Sequence, residues 1–128
     1  MILIIEDEEM VARSIKRRLE DIDPRTRVMM AGTVAEGEVI LRGDNRIHAV
    51  FCDNNIYGQL GYELHRKLAR DGLLSSTVWV GMSGEFGDEQ NPTEGERYYW
   101  ACGVTTLCKP GDVSSKEKLR KLLDELPA

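Results

Sequence analysis

Five short, unbroken apolar runs punctuate this chain, at residues 2–5, 28–31, 49–52, 77–82 and, more weakly, 104–108. Each is too short for a helix of ordinary length. A strand with one wet face alternates apolar and polar residues, whereas a strand covered on both faces does not. The runs therefore predict a buried parallel sheet. Between them lie helical patterns. Val11, Ile15 and Leu19 recur every four residues, with Arg13, Lys16, Arg17 and Arg18 elsewhere around the same helix. Thr33 followed by Glu36 reads as a capping box that opens a second helix, running to about Leu41. Leu60, Leu64 and Leu68 mark a third, ended near Gly72. Ser115 caps the last, which carries the stripe Leu119, Leu122 and Leu123 and is closed by Pro127. Residues 83–95 hold Gly84, Gly87, Pro92 and Gly95, so this stretch reads as a long loop, with helix only over 96–101.

Strand and helix alternate five times. This predicts an α/β fold: a flavodoxin-like (βα)5 domain over residues 1–128, with right-handed crossovers and helices on both faces. The common order for five such strands is 2-1-3-4-5, and the functional crevice then lies beyond the carboxyl ends of strands 1 and 3.

Composition narrows the function. The 128 residues carry a formal charge of -5, which argues against this domain alone gripping nucleic acid. No apolar run approaches a membrane span. The first run is followed at once by Glu6-Asp7-Glu8-Glu9, which is unlike a secretory signal, so a cytoplasmic protein is expected. Cys52, Cys102 and Cys108 lack metal-ligand spacing and are expected as reduced, mostly buried thiols. His48 and His65 have no matching ligands and read as ordinary surface or boundary residues, and Trp79 as core.

The strand ends carry the chemistry. Strand 1 ends in Glu6-Asp7, strand 3 in Asp53, strand 4 in Ser83 and strand 5 in Lys109. Taken singly, each has a bland role: helix N-terminal acids, a loop acid, a turn hydroxyl, a solvated lysine. Taken together, the predicted order brings three carboxylates, a hydroxyl and an ammonium to one rim. Two carboxylates about 4 Å apart repel by roughly 4 kcal/mol at an effective dielectric near 20. Three therefore call for a counter-ion, and a hard divalent cation with oxygen ligands, Mg2+ first, suits them. In chemical terms Asp53 would be a carboxylate nucleophile accepting a phosphoryl group, with Lys109 and Ser83 on the phosphoryl oxygens.

In order and spacing, residues 2–8, then Phe51-Cys52-Asp53 with Gly61 eight residues on, then Met82-Ser83-Gly84, then Leu107-Cys108-Lys109-Pro110, resemble the receiver domain of bacterial two-component response regulators. The resemblance covers essentially the whole chain. It implies a flavodoxin-like fold and a phosphoryl-accepting signalling domain of the chemotaxis-regulator type. It implies Asp53 as phosphoacceptor, Glu6 and Asp7 as the metal-binding acidic pair, with Glu6 in place of the commoner aspartate, and the carbonyl of Asn55 as a further metal ligand. Ser83 and Lys109 would be the switch hydroxyl and the phosphoryl-pairing lysine, with a cis bond at Lys109-Pro110. A histidine kinase or phosphotransfer protein would supply the phosphoryl group. Such a domain is no turnover enzyme: it catalyses only its own Mg2+-dependent phosphorylation and dephosphorylation.

The chain departs from the family pattern at three places. Tyr57 stands where a proline is common, Thr106 stands where an aromatic usually rotates inward, and residues 83–95 form a longer, helix-poor stretch. Output is expected through protein contact, to a downstream target or in a homodimer. Tyr98-Tyr99-Trp100 marks the surface, because consecutive helical residues point about 100° apart and cannot all face one core. Lys116, Lys118, Arg120 and Lys121 read as a solvated face. No output domain follows the fifth helix in this sequence, so a stand-alone receiver or a piece of a longer regulator is expected. The main alternative is a degenerate receiver, a docking module that is not phosphorylated. A flavin or nucleotide carrier of the same fold would need a glycine-rich phosphate loop where Glu6-Asp7-Glu8-Glu9 stands. A phosphatase with an aspartate nucleophile would need a second acid two residues after Asp53, where Asn55 stands.

Overall fold

The first apolar run forms β1 (Ile2–Ile5), followed by α1 (Glu9–Ile22), β2 (Val28–Ala31), α2 (Val34–Gly43) and β3 (Ala49–Asp53). A two-residue hairpin, β4 (Asn55–Ile56) and β5 (Gln59–Leu60), leads into α3 (Gly61–Arg70). Then come β6 (Val78–Ser83), α4 (Glu94–Ala101), β7 (Thr105–Cys108), a single 3-10 turn (Asp112–Ser114) and α5 (Lys116–Asp124). This computed structural model describes residues 1–44, 46–87 and 90–126.

Five strands form one parallel sheet in the order β2-β1-β3-β6-β7. Counting only these long strands, that is the expected 2-1-3-4-5. All four residues of β1 and all five of β3 are buried, as their continuous apolar runs require. The pleat sends alternate residues to opposite faces. Ile2, Ile4, Ala49, Phe51, Val80 and Met82 meet Ile15, Leu19 and Leu119 beneath α1 and α5. Leu3, Ile5, Val50, Cys52 and Trp79 meet Tyr62, Leu64, Leu68 and Tyr99 beneath the other helices. Each fully buried Leu or Ile contributes about 1.5–3 kcal/mol.

The helices follow their signals with corrections. In α1 the buried stripe is Ala12, Ile15 and Leu19, with Val11 only partly buried. Thr33 caps α2 by accepting from Glu36 N, but Glu36 Oε2 accepts from Gly32 N rather than from the cap itself, so the box is half formed. Leu60 belongs to β5, and α3 starts at Gly61; Gly72, at φ 74, follows its end. Ser115 caps α5, and Leu119 is its fully buried residue. Pro127 lies outside the described residues. The fourth helix begins two residues before the expected start, at Glu94. The reason is a complete capping box: Thr93 Oγ1 accepts from Glu96 N, and Glu96 Oε1 accepts from Thr93 N.

Two expectations fail on burial. Only Cys52 is a buried thiol; Cys102 and Cys108 are exposed. His65 is no boundary residue but is 7% exposed, with Nδ1 hydrogen-bonded to Tyr98 Oη at 2.7 Å. His48 is half-buried beside the N-terminal amine. Among the described residues, no helix is long and apolar enough to cross a membrane.

Candidate functional site

Strand alternation places the site. Ile4, Phe51 and Leu107 lie in the α1/α5 core. Two residues on, and so on the same side, come Glu6, Asp53 and Lys109. Lys109 Nζ reaches Glu6 Oε2 at 2.8 Å and Asp53 Oδ2 at 3.3 Å. Asp7 completes the group: Glu6, Asp7 and Asp53 each offer a carboxylate oxygen, all within 4.8 Å of one another. Glu6 and Asp53 are 2% and 5% exposed, so water does little to screen them.

Burial dominates the electrostatics. It pushes the Glu6 carboxyl up to about 7, aided by the charge of Asp53 and opposed by the hydrogen bond from Lys109. Burial also raises Asp53, against the attraction and hydrogen bond of Lys109 and the backbone N–H of Asn55, while Asp7 adds repulsion. Burial alone would lower Lys109, but its hydrogen bond to Glu6 and the charges of both acids outweigh this and hold the ammonium above its usual range. The site is an excess of buried negative charge with one fixed cation.

Asp53, Asp7, Asn55, Ser83 and Lys109 line one cavity of about 400 Å³, with Gly84 and Pro110 at its border. Ser83 Oγ accepts from Glu85 N at 2.9 Å, which fixes the hydroxyl at the mouth of the loop that leaves β6. Gly84, next to it, is exposed. The Lys109-Pro110 bond is cis. The donor set is all oxygen, which suits a hard divalent cation such as Mg2+.

Sequence reading missed Asn54. It is 9% exposed, donates from its backbone N to Met82 O, and accepts from Tyr62 N through Oδ1. Its side chain also lies so close to Gly95 that a Cβ there would meet Nδ2 at 2.7 Å. The residue after Asp53 thus braces both α3 and α4.

The expected output residues divide. Tyr99 is fully buried and its hydroxyl accepts from Trp79 Nε1 at 3.2 Å, so it is a core residue. Tyr98 is partly buried, with the Arg66 guanidinium over its ring at 5.1 Å. Trp100 is 41% exposed, and its Nε1 donates to Thr106 Oγ1. Lys116, Lys118, Arg120 and Lys121 are solvated, as expected.

No family model and no curated protein sequence matches the chain. Solved structures do. A two-component response regulator from Legionella pneumophila superposes with TM-score 0.76 at 20% identity, covering 98% of both chains. The signal receiver domain of a DNA-binding response regulator from Colwellia psychrerythraea gives 0.78 at 20% identity, covering 97% of this chain and 98% of that one. The chain has the receiver-domain fold. A third similar structure, the Vibrio cholerae chemotaxis protein CheY4, gives 0.76 at 20% identity, covering 98% of this chain and 97% of that one. Within the receiver fold, the carboxyl ends of β1, β3, β6 and β7 are where Glu6, Asp7, Asp53, Ser83 and Lys109 gather.

Proposed function

We propose that this chain is a phosphoryl-accepting signalling domain whose acceptor is Asp53. The observation that carries the reading is the buried constellation itself: Asp53 with Lys109 Nζ at 3.3 Å, inside a cluster of three carboxylates at the open end of the sheet. A fold has no use for such crowded charge, whereas phosphoryl transfer does. The donor would be a phosphohistidine on a histidine kinase or phosphotransfer protein. An Asp53 carboxylate oxygen attacks phosphorus, the P–N bond breaks, its electron pair returns to the imidazole, and an acyl phosphate remains.

Lys109 balances charge on Asp53 before transfer and on the phosphoryl oxygens after it. The Ser83 hydroxyl, whose oxygen accepts from Glu85 N, would donate its own hydrogen to a phosphoryl oxygen. Glu6, Asp7 and Asp53, with the Asn55 carbonyl, would hold Mg2+. When bound, the cation supplies neutralisation of the transferring oxygens. The domain turns over no separate substrate, works in the cytoplasm, and reports through protein contact at α4 and β7.

Intact mass after incubation with Mg2+ and acetyl phosphate tests the reading. One added phosphoryl group is expected, absent in Asp53→Asn and without metal. A folded protein that gains no adduct and binds no beryllofluoride would instead be a docking module.

A further inference from the structure

We propose that Tyr57 is a recognition residue for the protein that delivers the phosphoryl group to Asp53; this rests on the reading of Asp53 as phosphoacceptor. Tyr57 holds a backbone conformation that its own side chain does nothing to offset. Tyr57 sits at φ 52, the left-handed region that crowds the Cβ of any L-residue. Gly58 follows at φ 80. Two positive φ values in a two-residue hairpin loop are those of a type I′ turn, whose first position favours Asn, Asp or Gly. A bulky aromatic there is an outlier. Buried rings can offset such strain by packing, but Tyr57 is 76% exposed. Unusual backbone held at a solvent-facing side chain points to a role outside the fold.

The placement says what that role is. The hairpin begins at the acceptor: the backbone N–H of Asn55 donates to the Asp53 carboxylate. Ile56, 1% exposed, pins the hairpin to the core, and Asn55 Oδ1 accepts from Gly58 N at 3.1 Å, which fixes the turn. Tyr57 is therefore displayed on a rigid mount two residues from a lining residue of the acceptor cavity. Asp53 is only 5% exposed, so a protein-borne imidazole must enter that cavity. The surface around the imidazole then comes down on the rim. A tyrosine offers an amphipathic ring with little rotamer entropy to lose, the usual make-up of an interface anchor. A small phosphodonor needs no rim.

The test compares donors of two sizes. Wild type, Tyr57→Asn and Tyr57→Phe would be phosphorylated by acetyl phosphate and by a panel of purified histidine phosphotransfer domains loaded on histidine. For Tyr57→Asn, acetyl phosphate labelling is expected to stay unchanged. Transfer from the best protein donor is expected to fall by about tenfold or more, through KM rather than the maximal rate. Tyr57→Phe is expected to keep most of the protein-donor rate. The thermal midpoint of Tyr57→Asn is expected to be no lower than wild type.

Equal loss with both donors would overturn the proposal, because Tyr57 would then be shaping the site. So would an unchanged rate from protein donors, a lowered midpoint, or a wild type that acetyl phosphate labels but no domain of the panel does. A wild type that acetyl phosphate does not label would bring down the phosphoacceptor reading beneath it, a result separable from the others.

Discussion

The indole of Trp100 closes the seam between α4 and β7 by donating a 3.0 Å hydrogen bond from Nε1 to Thr106 Oγ1. Thr106 stands opposite Gly81 in the sheet register, two residues along β6 from Ser83. The aromatic at this seam comes from the helix and the hydroxyl from the strand. Removing the hydroxyl with Thr106→Val should cost about 0.5–1 kcal/mol, because the bond is partly solvated. It should also free the indole, moving Trp100 emission to longer wavelength. The measurement is the emission spectrum with that of Trp100→Phe subtracted, since Trp79 is 3% exposed and stays dark to the change. An unshifted spectrum would mean the bond does not persist in solution.

Tyr99 and Gly81 are fitted to each other. A Cβ added at Gly81 would meet Tyr99 Cε2 at 2.5 Å and Cδ2 at 2.8 Å, and the ring is fully buried. Gly81→Ala should therefore force the ring out of its place and cost about 1–3 kcal/mol by overpacking. Tyr99→Phe keeps the packing but leaves the buried Trp79 Nε1 without its acceptor. Its cost should be about 1–3 kcal/mol as well. Urea unfolding checks both, with an unchanged slope expected. A neutral Tyr99→Phe would show that water replaces the lost partner.

The sheet was legible because its central strands β1, β3 and β6 are covered on both faces, and their continuous runs state that directly; the edge strands β2 and β7 are only partly buried. The strand-end residues were legible for the same reason, since knowing the strands and their order locates Glu6, Asp53, Ser83 and Lys109. What was lost depended on contacts across the chain. The start of α4 was hidden by Pro92 and Gly95, which read as loop residues. Yet the Thr93 and Glu96 pair that overrides them stands in the sequence as an ordinary capping box. The β4–β5 hairpin was missed because a Tyr-Gly turn is a poor I′ signal. Asn54 and His65 were missed because their partners, Tyr62 N and Tyr98 Oη, are fixed only when α3 and α4 pack.

His65 should make the protein lose stability in mild acid. Burial among Trp79, Tyr98 and Tyr99 holds its pKa below the ordinary value. Below about pH 6.5 the unfolded chain takes up a proton that the folded chain refuses, so stability falls as pH falls, by up to about 1.4 kcal/mol per unit. Glu6 works in the opposite sense: its carboxyl is raised to about 7, so the folded chain holds a proton that the unfolded chain releases. Comparing wild type with His65→Gln removes that shared contribution. The difference in unfolding free energy, measured from pH 8 to pH 5, should narrow as pH falls through 6.5. A constant difference would mean His65 titrates normally in the folded state.

Asp53→Asn should reverse its effect on stability when magnesium is added. Without metal, Asp53 is a buried carboxylate that burial pushes upward and that crowds Glu6 and Asp7. Lys109 satisfies only part of that charge, and its nearer partner is Glu6, at 2.8 Å against 3.3 Å to Asp53. Replacing the charge by an isosteric amide should therefore stabilise the metal-free protein by about 1 kcal/mol at pH 7.5, the ordinary exchange of stability for function at such sites. The same change removes a ligand. A cation that binds only the folded wild type adds about 2.7 kcal/mol at a hundredfold excess over its Kd, and the variant should gain little of this. Urea unfolding of both proteins, in chelator and in excess Mg2+, gives the four numbers needed. The variant should be the more stable in chelator and the less stable in Mg2+. A wild type that magnesium leaves unmoved would mean that Glu6, Asp7 and Asp53 hold no cation, and the phosphoryl chemistry assigned to Asp53 would lose its metal.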